Sequence, residues 1–463
     1  MRGSLRRAIE RGAAARPPTT AVLRTAFEWG GPVPGIGRDC RRWAGLIRAR
    51  EGDPARAIDH YRAAVARGLD TASLHYDLGQ ALASIGFFAE AEAEFRLAMD
   101  RAPEAAWPVW GLVSAMEGQG RSVPLIADLI AAARRLSPDE ARKLPFPSWV
   151  AEGVSKDPVL VAELAAFVAE HPDADRAAVL LGTVEAVRGN GARSTALYRA
   201  AAAVRFRGRE EPSASEATPT FLILGQAKAG TSALFQYLSA HPAMVPPLVK
   251  EPQYWSTRHG LGPNWYRSQF PRLAAGSGLF TGEGSTNYLV DADAPARVAR
   301  EIPYARLVVL LREPVSRAHS EYWMLRRRGV SMPPFEELVA RETTRRPDCP
   351  LDERSLGDDR AGPASFLARS AALPFLQRWL AHVSPRQLLV LRTEQLSRDL
   401  PGTMARICRF IGVPVHVPTD RRRHNEGRYP ALSPPIETTL QAWFEPHERA
   451  LEDFLARLPK ATP

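Results

Sequence analysis

The sequence predicts two folds in tandem, an α-solenoid followed by an α/β domain built on a central parallel sheet. Three observations support this prediction. Small and aromatic residues recur every 34 residues in the first half of the chain. Short apolar runs alternate with helix-forming segments in the second half, as in parallel sheets covered by helices. The first of these runs leads into a glycine-bracketed loop, residues 225–232, and then into a helix.

The first half of the chain contains a helical repeat. Five pairs of equivalent residues lie 34 positions apart: Gly45 and Gly79, Gly52 and Gly86, Ala57 and Ala91, Tyr61 and Phe95, and Ala64 and Ala98. This is the period and residue pattern of tetratricopeptide repeats, and weaker copies surround Gly111 and Gly182. We therefore predict a solenoid over residues 38–206. It would either bind a protein partner on its concave surface or only brace the second domain.

The composition narrows the class of protein. A chain of 463 residues that is 45% hydrophobic can form two or three globular domains. Cys40, Cys349 and Cys408 are far apart, which predicts neither a disulfide framework nor a zinc site and favours a reducing compartment, the cytoplasm. No apolar run reaches about 18 residues, so no membrane span is expected. The net charge of +10 favours anionic partners but does not identify them.

Changes in composition divide the chain into four parts. Residues 1–37 form a basic N-terminal arm, a composition that a transit peptide can share. Residues 207–219 are polar and predict a linker, and residues 220–463 form the second domain. Within that domain, polar residues 343–363 predict a mobile loop and a candidate substrate lid. The other elements predicted there are strands at 221–224, 307–311 and 388–391 and helices at 233–241, 316–327, 375–382 and 403–411.

The glycine-bracketed loop has the chemistry of a cradle for phosphate or sulfate. Gly225 and Gly230 let the backbone approach a ligand, and the helix N-terminus beyond them offers unpaired N–H groups to an anion. Lys228 adds a positive charge, and Thr231 and Ser232 add hydroxyls. In the loop of ATP- and GTP-binding proteins the lysine follows the second glycine, whereas here it lies inside the loop. Considered alone, the loop could also be an ordinary strand-to-helix turn.

A second basic site is predicted at the end of the next buried strand. Arg312 follows the apolar run 307–311, and Ser316 and Ser320 lie one turn apart on the helix beyond it. Ligands of open α/β sheets bind beyond the carboxyl ends of the strands, so Arg312 should lie at the same edge as Lys228. A guanidinium there could form bidentate hydrogen bonds with an anion, or merely a surface salt bridge. Together the two sites indicate a ligand with two separated anionic groups.

These motifs resemble those of sulfotransferases that use 3′-phosphoadenosine 5′-phosphosulfate (PAPS). Residues 225–232 are similar to the 5′-phosphosulfate loop of that family, and Arg312 with Ser320 is similar to its 3′-phosphate motif. The resemblance extends over nearly all of residues 220–463. It includes the segments 250–255, 282–288 and 427–430. The branch that it resembles most is that of the heparan sulfate glucosaminyl N- and 3-O-sulfotransferases and their bacterial relatives.

The resemblance implies an enzyme that transfers the sulfuryl group of PAPS to a hydroxyl or amine, with a saccharide as the expected acceptor and with no metal and no nucleic-acid partner. It implies that Lys228 neutralises the leaving phosphate and that Glu251 is the catalytic base, with Glu283 as the alternative. The residues that it assigns to donor binding are Lys228, Ala229, Gly230, Thr231, Ser232, Arg312, Ser320 and Arg428.

Departures from the family pattern leave the acceptor open. Gln253 stands where the heparan branch often has histidine, and Gly284 and Glu426 stand where it often has lysine. These differences count against heparan itself as the acceptor. A protein-tyrosine sulfotransferase is one alternative, although that branch carries arginine at the position of Lys228. A helical-repeat adaptor with an inactive nucleotide-binding domain and a nucleotide kinase are the others.

Overall fold

The computed structural model describes residues 37–209, 218–327, 331–344, 366–419 and 430–459. Several predicted features lie wholly or largely outside these residues: the basic arm, the linker, the loop 343–363, Arg428 and the segment 427–430. The chain divides into two compact units, with the boundary between Val184 and Glu185.

The first unit is helical throughout its described length. Helices α1 to α6 follow one another as antiparallel hairpins with short turns, and shorter elements follow them. Their bounds are α1 Gly37–Arg50, α2 Pro54–Ala66, α3 Ala72–Ser84, α4 Phe88–Arg101, α5 Trp107–Gly118, α6 Ser122–Ala133, α7 Pro138–Ala141, a 3₁₀ turn Ser148–Val150, α8 Ala151–Val154, α9 Pro158–Glu170 and α10 Asp175–Val187, which crosses the boundary.

The repeat spacing places glycines opposite aromatic rings. The ring of Phe95 on α4 is fully buried, and a Cβ added to Gly79 on α3 or to Gly111 on α5 would lie 2.8 Å or 2.2 Å from it. Tyr61 on α2 packs against Gly45 on α1 in the same way, with a distance of 2.4 Å. The 34-residue period therefore marks real packing contacts between the helices of a hairpin and between neighbouring hairpins.

The second unit begins with a helix and continues with the α/β domain. Its elements are α11 Gly191–Arg205, β1 Phe221–Gly225, α12 Thr231–Ser239, a 3₁₀ turn His259–Leu261, α13 Pro263–Arg267, β2 Gly282–Gly284, α14 Ala294–Glu301, β3 Arg306–Leu311, α15 Pro314–Arg327, α16 Phe335–Thr343, α17 Phe366–Ser370, α18 Leu373–Leu380, a 3₁₀ turn Pro385–Gln387, β4 Leu388–Arg392, α19 Thr393–Arg398, α20 Leu400–Ile411 and α21 Pro434–Arg457.

The four strands form one parallel sheet in the order β2-β1-β3-β4. The central strands β1 and β3 are buried on both faces apart from the first residue of β3, which explains their continuous apolar runs. The sequence pattern predicted β1, β3 and β4 to within one residue at each end. It did not predict β2, because Gly-Glu-Gly has no apolar signal. Gly282 is required there, since a Cβ would lie 2.2 Å from the ring of Phe221 on β1.

Helix α11 packs within the second unit. The indole Nε1–H of Trp265 donates to Ser194 Oγ at 2.8 Å, and a guanidinium N–H of Arg205 donates to the carbonyl of Leu248 at 3.2 Å. The division into compact units thus falls before α11, whereas the repeat pattern assigned this helix to the solenoid of residues 38–206. Spacing identifies a helix but cannot show which core its buried side chains enter.

The contact of Gly111 with Phe95 generates a stability prediction. Alanine normally favours a helix interior by about 1 kcal/mol over glycine. In Gly111→Ala, however, the new Cβ meets the Phe95 ring, and overpacking of this kind costs about 1–3 kcal/mol. We expect a net loss of stability in urea denaturation of the full chain, and a smaller loss when the same change is made in a Phe95→Leu background. A gain in stability from Gly111→Ala alone would contradict this packing.

Candidate active site

The loop of residues 225–232, here called the cradle, connects β1 to α12. Gly225 has φ +143°, and a Cβ there would lie 2.9 Å from the carbonyl oxygen of Thr286. Gly230 adopts the left-handed conformation, with φ +88°, immediately before α12. No side chain of the described residues caps the N-terminus of α12. Its first N–H groups and its positive dipole end therefore suit an anionic ligand.

Three consecutive carbonyl groups of the cradle accept hydrogen bonds from side chains on α15, on the connection between β3 and α15, and on α19. The pairs are Arg317 with Ala227 at 3.3 Å, Arg312 with Lys228 at 3.1 Å and Thr393 with Ala229 at 2.6 Å. Because each of these carbonyls has a side-chain partner, the cradle has a defined shape without a ligand. Lys228 itself is at φ +70°, which is uncommon for a residue with a side chain.

Arg312 and Lys228 meet at one edge of the sheet. The strands before them, β3 and β1, are direct neighbours, and the Arg312 guanidinium lies against the cradle backbone. Ser320 is nearly buried on α15, the helix after Arg312. The N-terminus of α15 differs from that of α12, because the carboxylate of Glu313 accepts the N–H groups of its first turn. An anion at this edge therefore finds open N–H groups at α12 and a guanidinium at Arg312.

A buried ion pair supports the cradle. The side chains of Arg317 and Glu321 are 1% and 3% exposed, lie one turn apart on α15 and are 2.6 Å from each other. Arg317 also donates to Ser370 Oγ and to the carbonyl of Phe366. Burial alone would raise the pKa of Glu321, but the charges of Arg317 and Arg369 outweigh it and hold the pKa below its usual value. Sequence reasoning missed this pair, although its i, i+4 spacing on one helix face was visible.

Glu251 is connected to the cradle by the side chain of the preceding residue, Lys250. The ammonium of Lys250 donates to Ser232 Oγ at 3.1 Å and forms an ion pair with Glu251 Oε1. The Glu251 side chain is 34% exposed, so an acceptor can reach it. Lys250 was not among the site residues predicted from the sequence.

Glu283, the alternative base, is completely buried on β2. It accepts hydrogen bonds from Tyr266 at 3.2 Å and from Ser285 at 2.9 Å. Burial raises the pKa of Glu283 to about 8, although these hydrogen bonds favour its ionised form and oppose the shift. At neutral pH this carboxyl is therefore largely protonated.

The buried Glu283 generates a pH prediction. Between its usual pKa of 4.5 and about 8, the folded chain keeps a proton that the unfolded chain releases, so this group lowers stability as pH rises. Glutamine has no such proton. The free energy of unfolding of Glu283→Gln relative to wild type should therefore rise with pH across this window, by up to about 1.4 kcal/mol per pH unit. Urea denaturation at several pH values measures this difference, and a pH-independent difference would contradict the buried, protonated state.

The described ranges contain neither a membrane-spanning helix nor a cluster of metal-ligating side chains. None of the helices there combines the length and the apolar character that a membrane crossing requires. Those ranges also contain no group of three His, Cys, Asp or Glu side chains placed to share a metal ion.

Residues 218–426 match the family profile described as "Sulfotransferase domain". Human heparan sulfate glucosamine 3-O-sulfotransferase 3B1 is 31% identical over 201 residues, which are 43% of this chain and 48% of that protein. Mouse bifunctional heparan sulfate N-deacetylase/N-sulfotransferase 4 is 27% identical over 279 residues, which are 53% of this chain and 31% of that protein. The chain thus spans half or less of the length of these curated relatives.

Among solved structures, a sulfotransferase from Alicyclobacillus acidocaldarius aligns with 53% of this chain and 98% of its own chain, at 27% identity and a TM-score of 0.43. The family match covers the cradle, Arg312 and both candidate glutamates. Over residues 218–426 this chain is therefore similar to the sulfotransferase domain.

Proposed function

We propose that this chain transfers the sulfuryl group of PAPS to a hydroxyl or amine of a saccharide. The observation that best supports this proposal is the hydrogen bond from Arg312 to the carbonyl of Lys228. This hydrogen bond brings the two basic sites together at one edge of the sheet. A ligand with an anionic group at each end needs both sites in one place. A nucleotide with a 5′-phosphosulfate and a 3′-phosphate has this charge distribution.

The described residues suit such a donor. The N–H groups at the start of α12, together with the hydroxyls of Thr231 and Ser232, would hold the 5′ end. Arg312 and Ser320 would hold the 3′-phosphate, and Arg428 lies outside the described residues. PAPS supplies the sulfuryl group, and negative charge then grows on the phosphate that leaves. Lys228 would stabilise that charge, which is the main catalytic task in transfers of this kind.

Glu251 is the better candidate for the base that activates the acceptor. A base must be ionised and within reach of the proton that it removes. The side chain of Glu251 is partly exposed, and the ammonium of Lys250 connects it to Ser232 of the cradle. Glu283 is enclosed, and its pKa of about 8 leaves it largely protonated at neutral pH. We therefore assign Glu251 the role of base and Glu283 a role in positioning the surrounding backbone.

A saccharide acceptor is supported by the two relatives described above, whose names both specify heparan sulfate. Lys228 in the cradle favours this branch over the protein-tyrosine branch, which carries arginine at that position. Gln253 and Gly284 depart from the heparan pattern, so the acceptor need not be heparan. We propose that the helical repeats of the first unit bind a protein partner.

Donor binding tests the joined anion site. We expect 3′,5′-bisphosphoadenosine to raise the melting temperature of the full chain more than ATP with magnesium does. Arg312→Ala should weaken bisphosphoadenosine binding by about 1.5–3 kcal/mol, since a charged hydrogen bond is lost. Arg306→Ala is the matched control, because Arg306 lies at the opposite end of the same strand. Equal affinity in Arg312→Ala and wild type would reject the 3′-phosphate role, and selective stabilisation by ATP with magnesium would favour a kinase.

Turnover tests the two catalytic assignments. With sulfur-labelled PAPS and a panel of saccharide acceptors, Lys228→Ala should lose most transfer because the leaving phosphate is no longer neutralised. Glu251→Gln should keep its affinity for bisphosphoadenosine while kcat falls by about 10²–10⁴-fold, the usual contribution of a general base. Equal product from wild type and Lys228→Ala would refute the enzyme as proposed. Normal kcat in Glu251→Gln would move the base to another residue.

A further inference from the structure

Lys250 is a cationic residue beside the cradle to which neither the sequence motifs nor the proposed roles assign a function. Its ammonium lies between two groups of different function, the hydroxyl of Ser232 in the first turn of α12 and the carboxylate of Glu251. We propose that Lys250 is a positioning residue that holds the Glu251 carboxylate at a fixed place against the cradle. The proposal rests on the proposed function, in which the cradle binds the donor and Glu251 activates the acceptor.

The backbone is fixed on both sides of Glu251. The N–H of Gly284 on β2 donates to the carbonyl of Lys250 at 3.1 Å. The N–H of Gln253 donates to Ser285 Oγ at 3.1 Å, and that hydroxyl in turn donates to the buried Glu283. The segment 250–253 is therefore held along β2 by its backbone. With the backbone held, the position of the Glu251 carboxylate depends on the partner of its side chain, which is Lys250.

The environment makes this ion pair stronger than an ordinary surface pair. The side chains of Lys250 and Glu251 are 28% and 34% exposed. Those of Lys156 and Glu152, a surface pair in the first unit, are 73% and 77% exposed. Partial burial reduces screening by water and salt, so the Lys250 pair restrains its partner more than a surface pair does. Glu283 is the nearby acid that could compete, but it is largely neutral at pH 7 because burial raises its pKa to about 8.

The composition of the chain singles out this lysine. Of 61 basic residues only five are lysines, and two of those five, Lys228 and Lys250, lie at this site. Arginine has a planar guanidinium with a fixed fork of donors, whereas lysine has a compact ammonium that can contact a hydroxyl and a carboxylate at once. The bridge between Ser232 and Glu251 uses this property. Most basic residues of this chain are arginines, so a lysine at position 250 is consistent with a contact that needs a compact ammonium.

A bridge of this kind has a consequence for the reaction. Ser232 belongs to the helix turn that would hold the 5′ end of the donor. Lys250 thus connects Ser232, which would contact the leaving phosphate, with Glu251, the proposed base, before the acceptor binds. Fixing reacting groups in advance lowers the entropic cost of reaching the transition state, and misplacement by about 1 Å can cost 10²-fold in rate. Lys250 would act through Glu251 and not on the acceptor itself.

A double-mutant cycle tests the proposal. Lys250→Met keeps the side-chain length and removes the charge, and it is combined with Glu251→Gln. We expect Lys250→Met to lower kcat by about tenfold to a hundredfold, and the double variant to be no slower than Glu251→Gln within about threefold. Bisphosphoadenosine affinity should stay within about threefold of wild type in all three variants, and Lys250→Arg should recover part of the lost kcat. Lys156→Met is the matched control and should leave kcat unchanged.

Three kinetic outcomes would overturn the proposal. These are unchanged kcat in Lys250→Met, losses that multiply in the double variant, and a loss confined to bisphosphoadenosine affinity. The last outcome would make Lys250 a donor ligand only.

A second measurement does not depend on turnover. Reductive methylation with ¹³C-formaldehyde labels the five lysines of the full chain, and Lys250→Arg identifies the Lys250 signal by its loss. Glu251→Gln and Ser232→Ala should each shift that signal and leave the Lys156 signal in place. A signal insensitive to both changes would refute the bridge. If the signal responds but wild type transfers no sulfuryl group to any acceptor, the bridge stands and the proposed function fails.

Discussion

The direct pairing of β1 with β3 is the constraint on which the candidate site depends. Because the two strands are parallel neighbours, the cradle after β1 and Arg312 after β3 leave the sheet at the same edge. The guanidinium of Arg312 then reaches the carbonyl of Lys228, and the two basic sites become one. Both strands are buried on both faces, so this pairing is protected by the core of the domain. The geometry of the edge is thus a consequence of the sheet.

Buried charge maintains the shape of this edge. Arg317 is almost completely enclosed, yet it is paired with Glu321 and hydrogen-bonded to the carbonyls of Ala227 and Phe366. A buried ion pair adds little net stability, because desolvation cancels much of the attraction between the charges. Breaking it by removing one partner is costly, since an unpaired charge would remain inside. The pair therefore acts mainly on specificity, by holding the carbonyl of Ala227 in one arrangement.

Much of the fold was predictable from local pattern. Strands β1, β3 and β4 are apolar runs, and the glycines of the helical repeats face aromatic rings at the predicted spacing. Helix α12 begins at Thr231, two residues before the predicted start, because an uncapped first turn carries polar residues that resemble a loop. Strand β2 was missed for the same kind of reason. Its Gly-Glu-Gly sequence is explained by close packing on Phe221 and not by hydrophobicity. Helix α11 was assigned to the solenoid, because spacing does not reveal the buried partners of a helix.

The site was predictable only in part, and the two glutamates show why. The family pattern contains both Glu251 and Glu283, and the sequence alone does not distinguish the environments of these two side chains. The fold does so, because β2 buries Glu283 between Tyr266 and Ser285, whereas the segment before β2 leaves Glu251 accessible beside Lys250. Burial thereby leaves Glu283 largely protonated at neutral pH. Glu283 is therefore an enclosed hydrogen-bonding group that helps to fix the neighbouring backbone through Ser285, whereas Glu251 stays partly exposed beside the cradle. This difference in access is what supports the proposal of Glu251 as the base.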